Sequence, residues 1–294
     1  YVREDFYDRI HQAYFIHVNS LRNNPLRINV LNALSEGREP WDFKKSEEKL
    51  ALGWTANKQN TVEYLDTTEI QFNDTLPEKF SDYAICVINT SDYTNRQLNI
   101  TGNAIKQYAK RCNADYIELV GDCVPEYPMF NKYRLNKVLE VYEKTLYLDC
   151  DIVIQQDAPN IFKETPDDKV SAHSEHSFLD SEFSKDAMER ESKEVITLIE
   201  SDRKPKYINA GVLVIPKALS HVYKMPRGKI PKRWCFDQAL LGLDLRDQDY
   251  FDLGNKWNCS FKHVTFNEYK QHANFLHINT PTSTRIPSLN WFAN

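Results

Sequence analysis

The 294 residues are 41% hydrophobic and 27% charged, the make-up of a globular protein with room for one large domain or one domain plus an extension. A formal net charge of −5 excludes a protein that coats nucleic acid, because phosphate binding needs a basic surface. No apolar run approaches the roughly 20 residues that span a bilayer.

No signal peptide is visible, and a cytoplasmic location is expected. The chain opens on Tyr1 rather than Met, so the alternative is the lumenal domain of a membrane-anchored enzyme. The cysteines are Cys86, Cys112, Cys123, Cys150, Cys235 and Cys259. None form a CxxC pair, which argues against zinc and against a disulfide framework.

Phe6, Ile10 and Tyr14 recur at helical spacing and predict a helix over residues 4–18, ended by Asn23, Asn24 and Pro25. Gly37 and Pro40 break the next stretch, and Ser46, Glu48 and Leu50 suggest a second short helix. No chemistry-bearing motif lies here. Residues 1–80 therefore read as a mostly helical extension, and 81–294 as the main domain.

The texture changes near Ser81. Residues 83–88 are an apolar run expected to form a buried strand, followed by the polar loop Asn89-Thr90-Ser91-Asp92. An amphipathic helix is predicted to run to about Asn113, with Ile100, Ala104, Ile105, Tyr108 and Ala109 on one side. A strand over 115–120, a helix over 130–143 and a strand over 145–148 complete a β-α-β-α-β alternation. That order implies a mainly parallel sheet covered by helices on both faces. Such sheets bind ligands beyond the carboxyl ends of their strands, where Asp149 and Asp151 fall.

Two carboxylates one residue apart, flanked by Leu148 and Ile152, are costly unless something positive offsets them. A hard divalent cation is the simplest compensation. A second Asp-x-Asp, at Asp247 and Asp249, has polar surroundings and reads as solvated surface. His173, Glu175 and His176 form a polar cluster that is either pocket lining or a mobile loop.

The stretch from Lys132 to Ile154 resembles the core of nucleotide-sugar-dependent glycosyltransferases of the GT-A fold, and is most similar to the glycogenin-like family 8 enzymes. The matching features are Lys132, Asp149-Cys150-Asp151 and the turn Asp157-Ala158-Pro159. Tyr207 to Ile215, carrying Asn209-Ala210-Gly211, then Phe236-Asp237-Gln238, Trp257-Asn258 and Phe275-Leu276-His277 follow in the family's order. The resemblance implies an α/β fold with a mixed, mainly parallel sheet, and a metal site of Asp149, Asp151 and His277. Mn²⁺ is the first choice and Mg²⁺ the second, since a neutral imidazole among carboxylates suits Mn²⁺ better.

The resemblance also implies a UDP-sugar donor. Asn89 and Thr90 are expected on the base, Lys132 near the phosphates, and Cys150, Ala210 and Gly211 against the donor. Asn209, Asp237 and Gln238 are expected to face the sugar and its reacting carbon. The family follows its late His with Gly and then Lys-Pro-Trp. Here Ile278-Asn279-Thr280-Pro281 stand instead, and Arg285 is the substitute cation. The resemblance implies retention of anomeric configuration. The acceptor is left open among a glycan, a lipid-linked sugar and a protein.

Two other readings compete. Asp149-Cys150-Asp151 fits the first motif of haloacid-dehalogenase-like phosphatases with Asp149 as nucleophile, but the later Lys and Gly-Asp motifs are not found. A non-catalytic sugar-nucleotide-binding protein would not need the full metal set. Four Asn-x-Ser/Thr sites occur, at Asn73, Asn89, Asn99 and Asn258. Two of them fall in the expected site, which argues against a glycosylating lumen.

Overall fold

A computed structural model describes residues 63–174, 197, 206–232, 236–245, 249–260, 272–279 and 282–293. The helices expected within 1–62, the residues Glu175 and His176, and most of the second Asp-x-Asp lie outside the described residues. One compact unit runs from Glu63 to Asn294, so the boundary falls near 63 rather than 80. The cause is long-range pairing. Strand β1 (Tyr64–Asp66) pairs antiparallel with β8 (Lys229–Pro231), and Leu65 is buried in the core. Further on, Asp74 forms a buried ion pair with Arg134, which also donates to the carbonyls of Val120 and Gly121.

Strand β2 (Tyr83–Asn89) leads into helix α1 (Asp92–Cys112). Ser91 caps the helix: its hydroxyl accepts from the Thr94 N–H at 3.3 Å, and its own N–H donates to the Thr94 hydroxyl at 2.9 Å. Asn113, at φ 52°, ends the helix in the left-handed region. Strand β3 (Asp115–Val120) follows. The helix expected over 130–143 is instead a 3₁₀ turn, Pro128–Arg134, then a short helix α2 (Leu135–Leu139). Three residues per turn put Asn131 and Arg134 on one side, and both are drawn inward, Asn131 to Asp122 and Arg134 to Asp74.

Strand β4 (Lys144–Leu148) is followed at once by β5 (Ile152–Ile154), with helix α3 (Ile161–Glu164) and strand β6 (Val170–Ser174) beyond. Next come β7 (Ile208–Pro216), helix α4 (Phe236–Asp244) and β9 (Tyr250–Asp252). The main sheet has the order β3-β2-β4-β7-β6-β9. β2 is parallel to β3 and β4, and β6 to β9, while β7 is antiparallel to both of its neighbours. The sheet is thus mixed, as expected.

Alternation along the strands sorts the core into two layers. Ala84, Cys86, Tyr147, Leu213 and Ile215 meet Leu135, Val138 and Leu139 of α2. Ile85, Val87, Leu146, Leu148, Val212 and Val214 meet Leu98, Ile105 and Tyr108 of α1. Each of the large aliphatic side chains so buried contributes about 1.5–3 kcal/mol relative to exposure.

β7 breaks this parity. Its register with β6 pairs Ser171 with Val214 but His173 with Asn209, a slip of three residues. Ile208 and Ala210 consequently join the same cluster as Leu213 and Ile215. An odd slip reverses which residues face which side, and Asn209-Ala210-Gly211 sit at the reversal.

A smaller sheet, β10 (Cys259–Ser260), β11 (Phe275–His277) and β5, lies alongside, and helix α5 (Thr282–Ala293) packs on α1 and β5. No helix among the described residues is long and apolar enough to cross a membrane.

Candidate active site

Asp149 and Asp151 occupy the turn between β4 and β5. The residue between them anchors that turn. Cys150 is buried, its thiol donates to the Ile88 carbonyl at 3.3 Å, and its own carbonyl accepts from the buried Thr101 hydroxyl of α1 at 2.9 Å. Burial and the flanking carboxylates push the thiol well above its ordinary pKa. The Cys150 side chain therefore holds the turn from behind. With its middle residue pinned, the turn throws both carboxylates to the far side.

β11 brings the third group. It pairs antiparallel with β5 so that His277 lies opposite Ile152, and the Ile278 N–H donates to the Asp151 carbonyl at 3.0 Å. The His277 Nε2 then lies 3.4 Å from Asp151 Oδ1 and 3.9 Å from Asp149 Oδ2. Ligand atoms of all three residues fall within 4.8 Å of one another. Burial would raise the Asp151 carboxyl, but His277 and Arg285 outweigh it and hold it below the carboxylate range. Burial would likewise lower the His277 imidazole, and Asp151 and Asp149 raise it above its ordinary value.

Gly211 makes this meeting sterically feasible. A Cβ there would stand 2.4 Å from His277 Cε1, 2.9 Å from Asn209 Oδ1 and 3.0 Å from Asp149 Oδ2. The Asp149 N–H donates to the Gly211 carbonyl at 2.8 Å, so the backbone of β7 fixes the carboxylate turn directly.

Lys132 projects from the 3₁₀ turn between two acids, 3.1 Å from Asp237 and 3.6 Å from Asp149, and donates to the Ala210 carbonyl at 3.2 Å. Burial alone would lower its pKa, but the two carboxylates hold it above the ordinary lysine range. Asp237, in the first turn of α4, has a side chain only 2% exposed. Among the described residues Lys132 is its one charge partner, and its oxygens have no other hydrogen-bond donor. Gln238 beside it accepts from the Ala210 N–H at 3.4 Å.

Other expected residues take different positions. The Asn89 amide donates to Glu118 at 2.9 Å, and its oxygen accepts from the Thr94 hydroxyl at 2.9 Å. Thr90 is half-buried beside it. Asn209 spends its carbonyl oxygen on the Gly211 N–H and on Asn258. His173 is buried, with its ring nitrogens 3.0 Å from Asp252 and 3.1 Å from Asn255. Arg285 reaches from α5 to Asp151 Oδ2 at 3.2 Å.

Tyr147 was not singled out in the sequence. Its hydroxyl donates to Asp149 Oδ1 at 2.5 Å, and its ring underlies the Lys132 ammonium at 5.4 Å. The signal was available, since residues two apart on a strand share a face.

A cation with bonds of roughly 2.0–2.2 Å spans ligand atoms up to about 4.4 Å apart. The separations from His277 to the two carboxylates fall within that span. Two oxygens and one nitrogen, with Asp151 and His277 buried and Asp149 partly exposed, are a donor set that fits a divalent ion.

A family model described as Glycosyl transferase family 8 matches residues 87–282. The chain belongs to that family and is a glycosyltransferase of the GT-A fold. Its membership removes the phosphatase reading of Asp149. Among solved structures it is similar to a glycosyltransferase involved in glycosylation of the major capsid of PBCV-1, at 13% identity and TM-score 0.48, covering 71% of this chain and 98% of the other. It is similar to the galactosyltransferase LgtC in complex with donor and acceptor sugar analogs, at 13% identity and TM-score 0.43, covering 71% and 95%. It is also similar to mouse xyloside xylosyltransferase 1, at 11% identity and TM-score 0.38, covering 68% and 98%. No curated protein sequence matches the chain.

Proposed function

We propose that the protein transfers a sugar from a UDP-sugar to a glycan, lipid-linked sugar or protein acceptor, with retention of configuration. Asp149, Asp151 and His277 would hold Mn²⁺, or in second place Mg²⁺. The observation that carries this reading is the meeting of those three side chains, with ligand atoms within 4.8 Å of one another, beside the partly buried ammonium of Lys132.

Transfer breaks the bond between the anomeric carbon and the diphosphate through an oxocarbenium-like state. When bound, the cation neutralises the departing diphosphate as a Lewis acid. Lys132 adds a fixed positive charge on the same side. Arg285 supplies a second cation, in the role the family gives to a later Lys. Asp237 offers a buried acceptor for a sugar hydroxyl, with Gln238 adjoining. Asn209 orders the strand end, and Ala210-Gly211 form a floor without a side chain in the way. Thr90 is the loop residue proposed to meet the base. The acceptor hydroxyl attacks the face the diphosphate leaves, so no covalent nucleophile is required. Residues 1–62 carry no candidate group and are proposed to be dispensable for the chemistry. A cytoplasmic location is favoured by the burial of the sequon residues Asn89 and Asn258.

The test is a panel of nucleotide sugars screened by thermal shift with Mn²⁺, where a tight binder raises the midpoint by mass action. Turnover of the best donor then follows, with and without chelator. Stabilisation by one UDP-sugar and loss of turnover in chelator are expected. Undiminished turnover in excess chelator defeats the metal assignment, and transfer only from another nucleotide defeats the UDP assignment.

A further inference from the structure

A buried chain of hydrogen bonds runs from the β7 backbone to the metal-facing histidine, and its direction can be read without ambiguity at one end. The Gly211 N–H can only donate, and it lies 2.9 Å from an atom of the Asn209 amide, which is therefore the oxygen. That same oxygen is 2.9 Å from one end of the Asn258 amide, so that end is the NH₂ group. The other end of Asn258 is then its oxygen, and it faces His277 Nδ1 at 3.0 Å. An acceptor there requires a proton on Nδ1. In the neutral ring the lone pair consequently lies on Nε2, the nitrogen turned to Asp149 and Asp151.

We infer that Asn258 and Asn209 are positioning residues that fix the tautomer and ring orientation of His277 and so present Nε2 as a ligand. The inference rests on the metal reading above, and assigns work to a residue that touches neither metal nor donor. Asn258 is fully buried and both ends of its amide are taken, by Asn209 and by His277, so it is not free to meet a substrate. Outer hydrogen bonds of this kind change metal affinity about 10–100-fold when lost.

Two measurements test it. The first uses the unaltered, metal-free protein labelled with ¹⁵N at histidine, at a pH where the ring is neutral. The nitrogen shifts of His277 should show a protonated Nδ1 and an unprotonated Nε2, and the opposite tautomer overturns the inference. The second is direct titration with MnCl₂, following free Mn²⁺ by electron paramagnetic resonance. Asn258→Leu should weaken binding about 10–100-fold. Asn258→Asp keeps an acceptor against Nδ1 and should recover most of that loss, which mere packing would not produce. Equal Mn²⁺ affinity in Asn258→Leu and wild type overturns the inference. A wild type that binds no Mn²⁺ defeats the metal reading instead, and the nitrogen spectrum alone then decides the tautomer.

Discussion

Strands β2 and β4 are parallel neighbours, and both end in polar residues at the same edge of the sheet. At the end of β2, Asn89 is satisfied by Glu118 on the adjacent strand and by Thr94 in the cap of α1. At the end of β4, Asp149 and Asp151 meet Lys132 from the 3₁₀ turn, His277 from β11 and Arg285 from α5. The first arrangement draws only on the adjacent strand and the helix cap, and stops the strand. The second gathers charge from three further elements into a partly dry place, which stability alone does not reward. A polar strand end is thus architecture when the adjacent strand and cap suffice, and a site when several further elements converge on it.

If the contrast is right, the largest effect comes from the β4 end. Asp151→Ala should lower kcat by about 10²–10³ or more, the scale for losing preorganised electrostatic stabilisation, while circular dichroism shows the fold retained. Activity within a few-fold of wild type would erase the distinction.

Lys132→Met comes next. It leaves the Asp237 carboxylate buried without its charge partner, at a cost of about 3–5 kcal/mol in urea unfolding. The double variant with Asp237→Asn should regain much of that loss. Equal stability of single and double variants would show that the unpaired Asp237 carboxylate is not the source of the loss.

The pH response of the metal-free protein sharpens the comparison further. The His277 pKa is raised in the folded state, so its contribution to stability is full below the ordinary value of 6.5 and is lost as pH rises through the folded pKa. The Asp151 pKa is lowered, so its contribution is present above 3.8 and is lost as pH falls through the folded pKa. The pair therefore stabilises most between about pH 4 and 6.5. Thermal midpoints in chelator should decline on the alkaline side in wild type, and His277→Gln should remove that decline.

The smallest effect belongs to the β2 end. Asn89→Ala should cost about 1–2 kcal/mol through lost hydrogen bonds and leave kcat little changed. A loss of activity matching that of Asp151→Ala would place Asn89 in the chemistry after all.

Much of this was legible in the sequence for physical reasons. The apolar runs at 83–88 and 145–148 and the stripe of α1 announce a covered sheet, and acids at the end of an apolar run announce a compensating cation. Lys132 and His277 could be named from the resemblance, but their distances to Asp149 are tertiary facts. The bond from Tyr147 to Asp149 was within reach of strand periodicity. The 3₁₀ turn was not, since its winding follows from Asn131 and Arg134 finding Asp122 and Asp74. The same Asp74 pair explains the boundary. Nothing in the composition of residues 63–80 reveals that a buried guanidinium 60 residues away depends on them.

The three-residue slip of β7 against β6 has a consequence for how this segment can change over generations. Residues 212–215 form an apolar run, and exchanges of similar volume there alter packing by small amounts. The stretch 209–211 tolerates no such arithmetic. Removing one residue from it would keep nearly every side chain and still turn the slip even, sending Ile208 and Ala210 to the opposite face. Length at this point is a heritable trait of its own, and a lineage could vary the apolar spelling of residues 212–215 while a single codon lost from 209–211 silenced the enzyme.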